Sequence, residues 1–468
     1  MRKTSNEKKQ GFQMPHIYVI LFLIIFLAAL ASYIIPAGEF DREEVNGINV
    51  IIADTFHYIE QAPVTFMEFM TAIPRGIEET VIIIFGILAI GAMFGVIEKA
   101  GIIDMILNFL IKTFGNKGLL IIPVISFTLA LFVAMTGMIE ASLIFLPALL
   151  PLFLKFGYDR IASTAIILIS TVVGFACGLT TAANVGTAHT IAELPLFSGL
   201  WYRAIALVIM LTVGIIFVSR YIKKVQKNPE ASLVTDDVDD SEFVKEEIKY
   251  PKSETRTMIA TFVLVILLVL MAFLIFQYKW YFLELGGYYI FSGIVIGLIA
   301  GLKPSKIAEY MNDGMRMILL GAFIVGVARA ISVVLADGMI MDTIVYGLSK
   351  IVVVLPETVV PVAMMIVQAL INFLIPSGSG QAAATMPIII GIVDLTEMTR
   401  QTAVLAFLFG DGFSNIFYPT SGYFMAALAI AKIKYTDWIK FIWPLLLIWY
   451  TIAAVLLVIA YFINYGPM

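Results

Sequence analysis

The chain has 468 residues, 60% of them hydrophobic and only 14% charged, with a formal net charge of −4. Soluble domains carry roughly 25% charged residues, so this composition excludes a soluble globular protein and implies a polytopic membrane protein. One cysteine (Cys177) excludes a disulfide framework and a Cys-based metal cluster, and three scattered histidines (His16, His57, His189) make a haem or di-metal membrane enzyme a poor fit. Net acidity without a dense basic stripe speaks against a nucleic-acid partner.

Crossing roughly 30 Å of hydrocarbon takes about 20 helical residues. The basic head Arg2, Lys3, Lys8, Lys9 precedes an apolar run too long for a signal-peptide core, so residues 16–36 read as an uncleaved first span. An acid-rich polar segment (40–79) follows, then a second span (80–98) carrying Gly91-x-x-x-Gly95, a close-packing signal. Residues 101–116 read as a short interfacial helix and 118–155 as an apolar hairpin interrupted at Thr136-Gly137. A broken span (160–194) and a full span (200–221) close the first half, 1–222. Residues 223–256, rich in Lys, Asp and Glu, read as a solvated and partly disordered cytoplasmic linker.

The second half, 257–468, opens with spans at 257–279 and 287–303, then an amphipathic arm from Pro304 to Met317 and a span at 318–336 carrying Arg329. A short helix (341–353), a hairpin (359–394) broken at Ser377-Gly378, a broken span (401–430) and a last span (440–463) complete it. Shifting the first half by 240 residues places Pro147 on Pro387, Arg160 on Arg400, Thr180 on Thr420 and the Gly137 break on the Ser377 break. Lys and Arg concentrate in the loops around 99–117, 155–160, 303–316 and 432–440, which places the N-terminus in the cytoplasm. With nine crossings the C-terminus lies outside, the two cores are inverted, and their re-entrant hairpins dip in from opposite faces.

Lipid cannot hydrate free N–H and C=O groups, so a helix break survives in a membrane only where it lines a cavity. Two breaks per half, in matching positions, point to the substrate site of a secondary transporter. Helix N-termini at the tips suit a carboxylate, whereas carbonyl ends and hydroxyls suit Na⁺. The candidate substrate- and ion-binding residues are Thr136, Gly137 and Glu140 in the first hairpin and Thr180, Thr181 and Asn184 in the first broken span. The second half contributes Ser377, Gly378, Ser379 and Gly380 at the hairpin tip and Asp411, Asn415, Thr420 and Ser421 in its broken span.

Glu140 and Asp411 are acids inside apolar runs, a placement that costs several kcal/mol unless function offsets it. They read as ligands for a coupling cation or a substrate ammonium. The alternatives are an acid complementing its helix dipole for Glu140 and a capped or paired structural acid for Asp411. Arg329 reads as snorkelling to the outer interface, with a fork for a substrate carboxylate as the alternative. Arg160 and Arg400 read as interfacial anchors, His189 as a polar residue near the outer end, and Cys177 as a small packing residue. Nothing has the spacing of a nucleophile–base pair, so no catalytic residues are expected, and no cofactor beyond Na⁺ or H⁺ as coupling ion.

Met14-Pro15-His16, the run Ser32 to Asp41, the run Leu194 to Gly199, the Ser377–Gln381 tip, Arg400-Gln401, the run Gly410 to Asn415 and Pro419-Thr420-Ser421-Gly422 resemble the YfcC-type carriers of the C4-dicarboxylate anaerobic carrier family, within the ion transporter superfamily. The resemblance covers essentially the whole chain. It implies an all-α, inverted-repeat elevator transporter with a rigid, homodimeric scaffold, in the inner membrane of a bacterium. Two departures lie at the inferred site: Leu179-Thr180-Thr181-Ala182 stands where the family usually has Asn-Pro-Phe-Thr, and Ile139-Glu140 where it often has adjacent acids. Two core acids against one available arginine favour a substrate with an ammonium group, hence an amino acid, basic or otherwise, moved by exchange or with an ion. A C4-dicarboxylate carrier is the alternative. A channel or membrane enzyme fits the pattern poorly.

Overall fold

The computed structural model describes residues 17–466 except 46–47, 104, 106–117, 235–253, 279, 281, 354 and 395. Most of the interfacial helix expected at 101–116 lies outside the described residues. The first helix, α1 (Ile17–Ala31), ends five residues before the expected Pro36. The next segment is not purely irregular: β1 (Gly38–Glu39) pairs with β4 (His57–Tyr58), and β2 (Arg42–Val45) pairs with β3 (Ile48–Ile51), both antiparallel. The chain is thus mostly helical rather than all-α. The alternation Ile48-Asn49-Val50-Ile51 carries the strand signal that the flanking acids obscured.

Helix α2 (Phe66–Lys99) begins fourteen residues earlier than the second span expected at 80. Thr65 and Glu68 form a reciprocal capping box that starts it. At 34 residues it extends about 51 Å, well beyond one bilayer. Helices α3 (Ile121–Thr136) and α4 (Ala141–Lys155) form the first hairpin. Helix α5 (Arg160–Ala176) is buried along its whole length, and a π-turn (Ala182–Gly186) leads into α6 (Thr187–Ile191). Helix α7 (Leu200–Lys227) outlasts the expected 221, and Ser232 and Leu233 after it are tied down: Ser232 Oγ donates to Asp159 Oδ2 at 2.6 Å, and the Leu233 N–H to the Tyr221 hydroxyl at 3.0 Å, while most of the linker expected at 223–256 lies outside the described residues.

In the second half, α8 (Glu254–Tyr278) and α9 (Phe282–Ile299) precede α10 (Pro304–Asp337), again 34 residues. The arm and the span expected as separate pieces are therefore one helix. Then come α11 (Met341–Val353), the hairpin α12 (Val360–Asn372) and α13 (Gly378–Val393), the buried α14 (Arg400–Ser414), the short α15 (Gly422–Ile430) and α16 (Tyr435–Phe462). Among the described residues six helices are long and apolar enough to cross a membrane: α2, α7, α8, α9, α10 and α16. The hairpin helices, at 13 to 16 residues, are too short to cross alone.

Helices α2 and α10 lie antiparallel along most of their length, because Gly76 faces Gly326 while Gly91 and Gly95 face Gly314. A Cβ at Gly91 would stand 2.7 Å from the Gly314 carbonyl oxygen, so only glycine allows this approach. The Arg75 guanidinium closes the seam at one end with a two-pronged bond to Asp337, 2.7 Å on each arm. The strand segment is fastened nearby: Arg42 pairs with Asp342 at 2.7 Å and Phe56 stacks on Tyr346 with centroids 4.0 Å apart.

Candidate functional site

Three of the four breaks are closed by named groups. Helix α3 ends at Gly137, whose φ of +80° needs no Cβ, and its N–H donates to the Val133 carbonyl at 2.7 Å. The freed Ala134 carbonyl accepts the N–H groups of Leu179 and Thr180 at 2.6 and 3.2 Å, and the Thr180 hydroxyl donates to the Met135 carbonyl at 3.0 Å. The end of α3 thus completes the break after α5. Arg203, fully buried, donates to the carbonyls of Gly178 (2.7 Å), Leu179 (3.2 Å), Phe197 (3.3 Å) and Ser198 (2.7 Å).

At the second tip Ser377 caps α13, its Oγ accepting the Gly380 N–H at 3.3 Å. A Cβ at Gly378 would meet Asn184 Cβ at 3.0 Å and Asp411 Oδ2 at 3.4 Å, so this tip rests on the first broken span and on the Asp411 carboxylate. Asp411 Oδ1 accepts from Asn372 Nδ2 at 2.6 Å, and its Oδ2 has no partner among the described residues. The Thr420 and Tyr423 hydroxyls, at the break between α14 and α15, are likewise buried without a partner. Tyr423 lies within electrostatic reach of both Glu140 and Asp411.

The breaks surround a cavity of about 350 Å³. Ten of the fourteen candidates line it: Thr136, Gly137 and Glu140; Thr180; Ser377, Gly378 and Ser379; Asn415, Thr420 and Ser421. Three others stand directly behind. Thr181 packs on Gly137 and hydrogen-bonds Asn184, whose amide donates to the Phe175 carbonyl at 3.2 Å. Asp411 sits beneath Gly378. Gly380 is exposed, and its role is the backbone bond to Ser377. Glu140 occupies the N-cap position of α4 without capping it, which leaves its carboxylate to the cavity.

Several residues behave otherwise than their sequence context predicts. Arg160 is 1% exposed and is no interfacial anchor: its Nη1 donates to the Lys432 carbonyl at 2.6 Å, at the end of α15. Arg400 is about one-third exposed, pairs with Asp394 and Glu193, and donates to the Ala192 carbonyl at 3.0 Å. His189 is fully buried, its Nδ1 accepting the Phe197 N–H at 2.9 Å with Gln401 at its other nitrogen. Arg329 does not snorkel free, because its Nε donates to Glu79 Oε2 at 2.7 Å and both residues line the cavity.

Sequence reasoning missed Glu79, Tyr423 and the amides behind Asp411. Asn372 also donates to Gln381 Oε1 at 3.1 Å, and Gln381 to Gln368 Oε1 at 2.6 Å. Gln368 and Asn372, four apart in an apolar helix, were the available signal for a buried polar stripe. Among the described residues no three His, Cys, Asp or Glu side chains gather as a metal site.

Six membrane-length helices and a cavity walled by four interrupted backbones define a multi-pass membrane protein of the transporter class. The chain belongs to the C4-dicarboxylate anaerobic carrier (DcuC) family, whose model matches residues 14–462. It is 30% identical over 480 aligned positions to YfcC of Escherichia coli K12, provisionally named a basic amino acid antiporter, covering 93% of this chain and 94% of that one. Among solved structures it is similar to the YdaH transporter of Alcanivorax borkumensis (15% identity, TM-score 0.44, 97% of this chain and 100% of that one). It is also similar to MtrF of Neisseria gonorrhoeae, described among antimetabolite efflux pumps (19% identity, TM-score 0.42, 98% of both chains).

Proposed function

We propose that the chain is a secondary active transporter of the bacterial inner membrane, moving an amino acid, a basic one by preference, by alternating access. The observation that carries this reading is the charge of the cavity. Its lining holds two carboxylates, Glu79 and Glu140, and one guanidinium, Arg329, with the Asp411 carboxylate behind. A ligand with one carboxylate and an excess of positive charge neutralises that set, whereas a dianion adds repulsion inside a low-dielectric site. The name given to YfcC agrees with it. The family's description favours a C4-dicarboxylate instead, and that is the second reading.

The inverted-repeat reading has support of its own. Helix α5 starts at Arg160 and α14 at Arg400, 240 residues on, while α2 starts at Phe66 and α10 at Pro304, 238 on. Where the first half carries short strands between α1 and α2, the second carries the apolar α9 between α8 and α10. One additional crossing there reverses the second half, which accords with a cytoplasmic N-terminus and an outer C-terminus. The two arginines act reciprocally: Arg160 of the first half caps residue 432, and Arg400 caps residue 192, again 240 apart.

In an elevator cycle the seam of α2 and α10 would serve as the fixed, dimeric scaffold, and the hairpins with α5, α6, α14 and α15 as the moving body. The contact between α10 and α15 brings backbone close to backbone, with Gly321 facing Ala426 and Gly422 facing Val325. The orphaned Asp411 Oδ2, against the second tip, and the Thr420 and Tyr423 hydroxyls, at the break between α14 and α15, are hard oxygen donors fit for a coupling Na⁺ or a proton. The test is counterflow in proteoliposomes with labelled arginine, lysine or succinate. Trans-acceleration by a basic amino acid supports the reading, succinate-only exchange replaces it with the second, and flux without trans-acceleration removes the carrier.

A further inference from the structure

We propose that Arg329 is the carboxylate-binding fork of the cavity and that Glu79 is the positioning residue holding it open toward the ligand. The inference rests on the transporter reading of this cavity and assigns it a specificity-determining pair on the scaffold helices α2 and α10, which would meet the ligand while the moving body stands as it does in this structure. The geometry of the pair differs from that of the arginine–carboxylate pairs in which both carboxylate oxygens are held. Arg75 holds Asp337 through both terminal nitrogens, each at 2.7 Å. Arg400 grips Asp394 through Nε and Nη2 at 2.9 and 2.7 Å, and Arg42 reaches both Asp342 oxygens at 2.9 and 2.7 Å. Arg329 meets Glu79 through Nε alone, at 2.7 Å.

That single bond fixes the guanidinium plane and leaves the Nη1 and Nη2 donors, the two arms that match a carboxylate's oxygens, without a partner among the described residues. The side chains of Arg329 and Glu79 are 38% and 42% exposed although their residues line a cavity within apolar helices, so their polar ends face the space rather than the packing. Among the described residues Arg329 is also the only cationic one in the lining. The ammonium of a bound amino acid then has Glu140 as its partner among the lining acids. A lysine in place of Arg329 would keep the ion pair with Glu79 and lose the fork.

The test compares ligands that differ only in the carboxylate. Proteoliposomes containing wild type, Arg329→Gln, Arg329→Lys or Glu79→Gln are assayed for counterflow of arginine and of agmatine, its decarboxylated analogue, with thermal unfolding of each variant as the folding control. In Arg329→Gln the apparent affinity for arginine is expected to fall about thirty-fold while that for agmatine moves less than about threefold. Arg329→Lys should unfold like wild type and lose most of the same affinity, and it decides the matter if the Gln variant does not fold. Glu79→Gln should lose several-fold.

Equal losses for arginine and agmatine, or full retention of arginine affinity by the Lys variant, would overturn the proposal. If the wild type exchanges succinate and no amino acid, the amino acid reading falls while the fork is judged by the same variants with succinate against succinamide, which has no carboxylate. A wild type that exchanges no carboxylate of either kind overturns both.

Discussion

The seam between α2 and α10 and the cluster of helix breaks handle buried backbone in opposite ways. In the seam every glycine lies inside a continuous helix, its polar groups already bonded, and the absent Cβ lets two rods touch. At the breaks, backbone groups are released from their helices and must be met one at a time by Thr180, Arg203, Ser377 or a neighbouring carbonyl. Among the described residues the seam helices leave no fully buried side-chain donor or acceptor unmet. The breaks leave Asp411 Oδ2 and the Thr420 and Tyr423 hydroxyls unmet. Rigidity is concentrated where backbone is fully paired, and chemistry where it is not.

The strongest way to break that contrast is Gly314→Ile, which drives a branched side chain into the backbone of Gly91 and Gly95. We expect a loss of about 4 kcal/mol or more, read as a collapse of the unfolding midpoint in detergent. Asp411→Asn acts on the other region. Exchange should fall about a hundred-fold with the unfolding midpoint held or raised, because a half-satisfied buried acid is removed. Unchanged coupled uptake in that variant would strike Asp411 from the mechanism. Arg160→Met should cost about 2–3 kcal/mol, since buried carbonyls lose their donor, whereas Arg400→Met, three of whose four hydrogen bonds are exposed, should cost about 1 kcal/mol. The smallest effect sharpens the seam result: Gly347→Ala, with nothing within 4 Å of the new methyl, should stabilise by about 0.5–1 kcal/mol.

The breaks were legible because Pro376-Ser377-Gly378 and Pro419-Thr420-Ser421-Gly422 cannot continue a helix, and lipid forbids idle loops. Asp411 was legible as an acid surrounded by Phe and Leu. The pair of Glu79 with Arg329 was not, because it joins residues 250 apart and neither neighbourhood announces the other. The start of α2 was misread for a related reason. Glu68, Glu78 and Glu79 made the region look like a loop, although Thr65 and Glu68 stand at capping-box spacing. Charge outweighed local helical signals in the reading. In the folded chain the overhanging turns lie beyond the apolar stretch and tolerate it.

The crossed caps of Arg160 and Arg400 bear on how the molecule is made. The carbonyl at residue 192 waits for a guanidinium synthesised about two hundred residues later, and the side chain at 160 waits longer still for residue 432. Neither half can therefore finish its own interior before the ribosome is nearly done. Expressed separately, each half would remain open in the bilayer, and only the two together, on one chain or as two fragments in the same membrane, would close.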